Sequence, residues 1–252
     1  MKIPALIAHR GHAARYPENS LLAIESALKA GACYVEVDIQ LTADGVPVLF
    51  HDDDMQRITG HKQQITQLNA AQLRHYYASE KKRFGDQFNN TPIPTLEALL
   101  TLLRGWPNRY AFIEIKEEST KIFGTEFVVK KIMAQLTPLG AQCIPISYDI
   151  AALETARRLG AKQIGWVAAR WDEASRKTAH RLSPDYLFTN YTRLPKDQRE
   201  IWRGSWQWAL YEVTDPELAL TLAGKGIDMI ETMEIAAMLS DPVLNKKSCQ
   251  GG

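Results

Sequence analysis

The chain has 252 residues, of which 45% are hydrophobic and 23% charged, with a formal net charge of +1. That length suits one large α/β domain or two small ones, and the apolar content excludes a disordered chain. The near-neutral balance supplies no basic field for nucleic acid or for an anionic membrane surface.

In chain order, short β-branched runs alternate with segments of helical period. Strands are predicted at "ALIAH" (5–9), "YVEVDIQL" (34–41), "YAFIEI" (110–115) and "QCIPIS" (142–147). Four more follow at "QIGWVA" (163–168), "YLFTN" (186–190), "WALYEV" (208–213) and "MIET" (229–232). Between them, Leu21, Ile24 and Leu28 share a helical face after a cap at Asn19 or Ser20, and Leu96, Leu99, Leu100 and Leu103 do so after Pro94-Thr95. "DPELALTLAGKG" opens with an Asp cap and a proline at the first helical position, with Gly224 to end it. Eight strand–helix alternations at this length predict a (β/α)8 barrel. A doubly wound sheet also alternates, but no G-x-G-x-x-G follows the first strand. Residues 52–94 break the rhythm, with only "NAAQLRHYY" (69–77) of helical character, and read as an insertion on the barrel face that carries the site. One catalytic domain is expected over 1–245. "NKKSCQGG" (245–252) reads as a disordered end, giving a flexible tail over 246–252.

Cys33, Cys143 and Cys249 are odd in number and widely spaced, so reduced thiols of a cytoplasmic protein are expected, not a disulfide or zinc site. No run approaches the ~20 apolar residues of a membrane span. "IPALIA" is too short for a signal-peptide core and is broken by Pro4. A soluble intracellular protein follows, with no nucleic-acid partner and no stable membrane insertion. Oligomeric state is not encoded in these features.

"VEVDIQLTADGVPVLFHDD" (35–53) carries the densest chemistry. Asp44-Gly45 between alternating apolar residues predicts a two-residue type I′ hairpin. Counting outward, Leu41 faces Val48 and Asp38 faces His51, and Glu36 shares that face two residues earlier. Read alone, each is a solvated edge or turn residue. Together they gather two carboxylates and an imidazole, and like charges so close need a cation or a proton between them. "AHRGHAARYPENS" (8–20) adds His9 and Arg10 at the end of the first strand, and "FIEIKEE" (112–118) adds Glu114 and Lys116 two apart. Glu36, Asp38 and Glu114 suit one hard cation such as Mg²⁺ or Ca²⁺. Arg10 and Lys116 suit a phosphate, and His9 and His51 titrate in the range for proton transfer. Glu114–Lys116 alone would read as a structural ion pair. His12, His61, His75 and His180 lack acidic partners and read as surface or loop residues. "IWRGSWQW" (201–208) reads as packing under a loop rather than a binding platform.

"AHRG" with "PENS", then "EVDIQLTADGVPVLFHDD", "PIPTLEALL" and "FIEIK" together resemble the glycerophosphodiester phosphodiesterase family, densely over residues 5–118 and thinly beyond. The resemblance implies a (β/α)8 barrel with an insertion after the His-Asp motif. It implies metal ligation by Glu36, Asp38 and Glu114, phosphate contacts from Arg10 and Lys116, and His9 as base with His51 as acid. Glu18 and Asn19 would brace the first loop. The implied reaction is metal-dependent hydrolysis of a glycerophosphodiester to glycerol 3-phosphate and an alcohol. The last third departs from the pattern. Tyr211 stands where relatives often carry Trp, Thr214 replaces Asn, and Met233 sits where a strand-end Asp is common. Tyr211 is therefore a substrate-side candidate. Rival readings are a phospholipase D-like or phosphoinositide-cleaving barrel acting on phospholipids, a metal-dependent sugar isomerase or aldolase, and a non-catalytic phosphate-binding module. No membrane-docking segment, Schiff-base lysine or histidine-rich ligand set supports the first two, and the third needs neither His9 nor His51.

Overall fold

The computed structural model describes residues 2–195 and 201–249. Nine strands form one sheet: β1 (Ala5–His9), β2 (Tyr34–Leu41), β3 (Pro47–Leu49), β4 (Tyr110–Ile115), β5 (Cys143–Ser147), β6 (Gly165–Val167), β7 (Tyr186–Asn190), β8 (Gln207–Tyr211) and β9 (Met229–Thr232). All pairings are parallel except that of β3, which lies antiparallel on β2. β1 pairs with both β2 and β9, so the eight parallel strands close into the expected (β/α)8 barrel. The strands read as near-continuous apolar runs because both of their faces are covered. Inward residues such as Ile7, Phe112, Ile144, Phe188 and Met229 fill the barrel, while outward ones such as Val35, Val37, Ile113, Leu187 and Ile230 pack under the helices.

The helices start where the capping residues predict. Ser20 accepts from the Ala23 amide at the head of Leu21–Lys29, and Thr95 and Asp215 do the same for Leu96–Arg104 and Pro216–Gly224. That last helix includes Gly224, and the chain reverses only at Gly226, whose φ is +112°. Between β3 and Leu96, the helical stretch expected over 69–77 is a single turn, Ala70–Leu73. This segment builds a small core of its own around Phe50, Met55, Ile58 and Ile65. Trp202, Trp206 and Trp208 are buried, with Trp171 stacked on Trp202 at 4.3 Å, as a packing role requires. Among the described residues, no helix is long and apolar enough to cross a membrane.

Four expectations are corrected. The β2–β3 turn is not a two-residue type I′ turn: Gly45 has a φ of +75° but Asp44 is not left-handed. The Thr42 hydroxyl instead accepts from the Val46 amide and donates to Asp44, holding a longer loop. The register slips by one, so Leu41 faces Pro47, and the Phe50 amide reaches the Asp38 carbonyl. His12, expected at the surface, is buried with Nδ1 3.0 Å from the Ser26 hydroxyl. Finally, Cys33 and Cys249 are joined in a disulfide and only Cys143 is free. Residues expected in a flexible tail instead lie against the barrel's N-terminal end. The Cys249 amide donates to the Gly31 carbonyl at 3.0 Å, and Arg109 donates to the Cys249 carbonyl. Wide spacing along the chain concealed a pairing made by this return. Residues 250–252 of the expected tail lie outside the described residues.

Candidate active site

Strand register assembles the site. His9 pairs with Glu36 across β1–β2, and Asp38 with Glu114 across β2–β4. Side chains on matched positions of neighbouring parallel strands stand side by side at the C-terminal mouth, where such barrels carry their chemistry. His9 Nε2 lies 3.8 Å from Glu36 Oε2. Arg10 follows in a left-handed conformation, φ 55°, which turns its amide onto Glu36 at 3.2 Å and its Nε onto Asp38 at 3.0 Å. Gly11 must be glycine: a Cβ there would sit 2.6 Å from the Ala23 carbonyl carbon. Asn19, also left-handed at φ 56°, grips Asp38 at both ends, its amide donating to Oδ2 at 2.9 Å and its oxygen accepting from the Asp38 amide at 3.1 Å. Lys116 bridges Glu114 at 3.1 Å and Asp38 at 3.5 Å.

His51 reaches the same mouth by its loop rather than by strand pairing, since Gln40 donates to the His51 and Asp52 carbonyls at 3.2 and 2.7 Å. Its Nδ1 is 2.7 Å from Asp52 Oδ1, and a carboxylate there keeps the ring hydrogen on Nδ1 and leaves Nε2 free. Arg57 binds Asp52 and Glu18 together, and Glu18 in turn binds Arg10 at 2.7 Å. Glu80 accepts from the Glu18 amide at 2.7 Å, so the segment after β3 buttresses the loop after β1.

Burial and neighbouring charges together set the proton states. Burial, helped by Arg10, lowers His9 to about 3, below the range expected of it for proton transfer, and keeps the imidazole neutral. Burial works to raise Asp38, but Arg10 and Lys116 outweigh it and hold the carboxyl below its usual range. Burial likewise opposes the Lys116 charge, and Asp38 and Glu114 outweigh it. Glu36 is raised well above the usual range by burial and then by Asp38 and Glu231, and Glu114 is raised by burial against the pull of Lys116. Ligand atoms of Glu36, Asp38 and Glu114 lie within 4.8 Å of one another, so these three could hold a metal ion. Glu36 Oε1 is buried without a hydrogen-bond partner among the described residues, an arrangement a cation would satisfy.

A cavity of about 240 Å³ opens over these groups. His9, Arg10, His51, Glu114, Lys116 and Tyr211 all line it, so the structure brings together the residues singled out from sequence, with Glu36 and Asp38 packed directly behind. Tyr211 hydroxyl is 2.9 Å from that of Tyr148 and accepts from Arg193 at 3.1 Å. Sequence reasoning missed Tyr148 and Glu231. Glu231 is buried at the end of β9, raised by burial and by Glu114, and faces the same cavity. The only signal was one acid in the apolar run "MIET".

Residues 9–198 match the sequence pattern described as the glycerophosphoryl diester phosphodiesterase family. The glycerophosphodiester phosphodiesterase 1 of Bos taurus is 40% identical over 116 residues, covering 46% of this chain and 34% of that protein. The chain thus spans about a third of the length of the mammalian relatives it matches. A glycerophosphodiester phosphodiesterase of Caldanaerobacter subterraneus is 29% identical over 189 residues, 72% of this chain and 76% of its own. Among solved structures, an Oleispira antarctica phosphodiesterase in complex with the product sn-glycerol-3-phosphate superposes with a TM-score of 0.84 at 25% identity, over 94% of this chain and 96% of the other. With three quarters of its length inside one sequence pattern and the same barrel beneath it, the chain belongs to the glycerophosphoryl diester phosphodiesterase family.

Proposed function

We propose that this chain hydrolyses glycerophosphodiesters to glycerol 3-phosphate and an alcohol. The observation that carries the reading is one cavity lined by two histidines, two cations and Glu114, with Glu36 and Asp38 behind it completing a three-carboxylate cluster. The product named for the Oleispira antarctica neighbour, sn-glycerol-3-phosphate, supports the same substrate class.

Glu36, Asp38 and Glu114 would hold one divalent cation, and an all-oxygen donor set suits Mg²⁺ or Ca²⁺. When bound, that ion acts as a Lewis acid on the phosphate. The chain's own groups do the rest. Arg10 and Lys116 bind phosphate oxygens and stabilise charge as it grows in the transition state. Both are pre-aimed by Asp38, which needs no reorganisation during reaction. Neutral His9 takes the proton of the attacking hydroxyl as the new P–O bond forms. His51 stands against Asp52, so a second ring proton has a counter-charge beside it, and Nε2 delivers that proton to the alkoxide as its P–O bond breaks. Tyr211 and Tyr148 offer hydroxyls to the alcohol side, against apolar Ile146, Val167 and Phe188. The small cavity suits a short polar diester better than a lipid with long chains. In this reading residues 1–245 work as one catalytic domain, with 52–94 inserted at its mouth. The expected cytoplasmic location rested on reduced cysteines, and the Cys33–Cys249 disulfide withdraws that support.

Incubation with glycerophosphocholine tests the reading. Choline and glycerol 3-phosphate should appear in equal amounts, cease with chelator and resume with added Mg²⁺ or Ca²⁺. Release of phosphocholine, or indifference to chelator, would overturn it.

A further inference from the structure

Glu231 has no task in the mechanism above, yet it is among the most deeply buried acids of the chain, 3% exposed, and its Oε1 has no hydrogen-bond partner among the described residues. The cations nearby are committed elsewhere: Arg10 to Glu18 and Asp38, Lys116 to Asp38 and Glu114. Two neighbours share its condition, for His9 Nδ1 and Glu36 Oε1 are also buried without partners. One ligand atom each from His9, Glu36 and Glu231 lies within 4.8 Å of the other two, and all three residues are more than nine-tenths buried. His9 Nε2 and Glu36 Oε2 approach to 3.8 Å, too long for a hydrogen bond, so the imidazole and the carboxylate face each other without satisfying each other.

We propose that His9, Glu36 and Glu231 form a second cation site, bridged through Glu36 to the three-carboxylate cluster and selective for a borderline transition-metal dication such as Mn²⁺ or Zn²⁺. The donor set decides the selectivity. An imidazole beside two carboxylates suits Mn²⁺ or Zn²⁺, whereas the oxygen-only cluster suits Mg²⁺ or Ca²⁺. Filling the second site occupies the His9 imidazole, so the ion inhibits by removing the proton acceptor. The proposal rests on the reading of Glu36, Asp38 and Glu114 as the first ion's ligands.

Binding can be counted on the full chain, stripped with chelator and titrated with Mn²⁺ while free ion is followed by electron paramagnetic resonance. Wild type should bind two ions, with the bound signal broadened by coupling through the shared carboxylate. Glu231→Gln, which keeps the side-chain shape, and Asp38→Asn should each bind one, uncoupled. Zn²⁺ inhibition of the Mg²⁺-loaded enzyme should need roughly tenfold more ion in Glu231→Gln. One ion in wild type that survives Glu231→Gln and disappears in Asp38→Asn would overturn the second site and keep the first. No bound ion in wild type would overturn both. Two ions retained in Glu231→Gln would remove Glu231 as a ligand and overturn the proposal.

Discussion

The cavity is divided between two stretches of chain with opposite chemistry. β1, β2 and β4 bring His9, Arg10, Glu36, Asp38, Glu114 and Lys116, a wall of charge whose members pair with one another. β5, β6 and β7 bring Ile146, Val167 and Phe188, with Tyr148 and Tyr211 as the hydroxyls on that side. The charged wall is over-determined: Asp38 alone is held by Arg10, Asn19 and Lys116. The apolar wall is held by packing and makes few directional demands. A barrel can thus keep a rigid reacting centre on one side and leave the other free to set which alcohol is accepted. Variants in the first wall should act on kcat, and variants in the second on KM.

The largest effects fall on the histidines. His51→Ala should lose on the order of 10²–10⁴ in kcat with a glycerophosphodiester, the usual worth of positioned proton transfer. It should retain far more activity on a bis-aryl phosphate, whose phenolate leaves unprotonated, while His9→Ala should fail on both. Stopped assays on the two substrates check this, and the reverse pattern exchanges the two roles. Lys116→Met should cost roughly 10²–10³ in kcat by loss of a charged donor to the transition state. Unchanged kinetics would make it only a structural partner of Glu114. Tyr211→Phe, in the other wall, should remove about 1 kcal/mol of hydrogen bonding, roughly fivefold in KM, with kcat preserved. A fall in kcat instead would erase the distinction between the walls.

The smallest effect sharpens the boundary of the charged wall. Burial opposes ionisation of Asp52 and Glu18, but hydrogen bonds from His51 and Arg57 to Asp52, and from Arg57 and Arg10 to Glu18, hold both below the usual carboxylate range. With folded values below unfolded ones, the unfolded chain binds more protons in between. Their stabilisation is therefore complete above about pH 4–4.5 and is lost as pH falls below that. Arg57→Met should flatten this acid limb in thermal melts taken at stepped pH. A limb of unchanged steepness would place the acid sensitivity elsewhere.

Much of the charged wall is legible in the sequence because its members lie at strand ends, and strands buried on both faces are conspicuous apolar runs. "YVEVDIQL" shows both its boundaries and its two inward acids. The hairpin was legible as a turn but not in register, because a side-chain hydroxyl, that of Thr42, decides the loop length. Glu231 was hidden for a different reason: its partners His9 and Glu36 meet it only when the last strand closes on the first. The disulfide was hidden by the same kind of closure at the opposite end of the barrel.

That covalent tie has a consequence for how the molecule survives damage. It joins residues 216 positions apart, so nearly the whole chain lies inside one ring. A protease that nicks any loop between residues 33 and 249 opens the ring without releasing a fragment, and the two pieces stay joined and registered in the barrel until a reductant parts them.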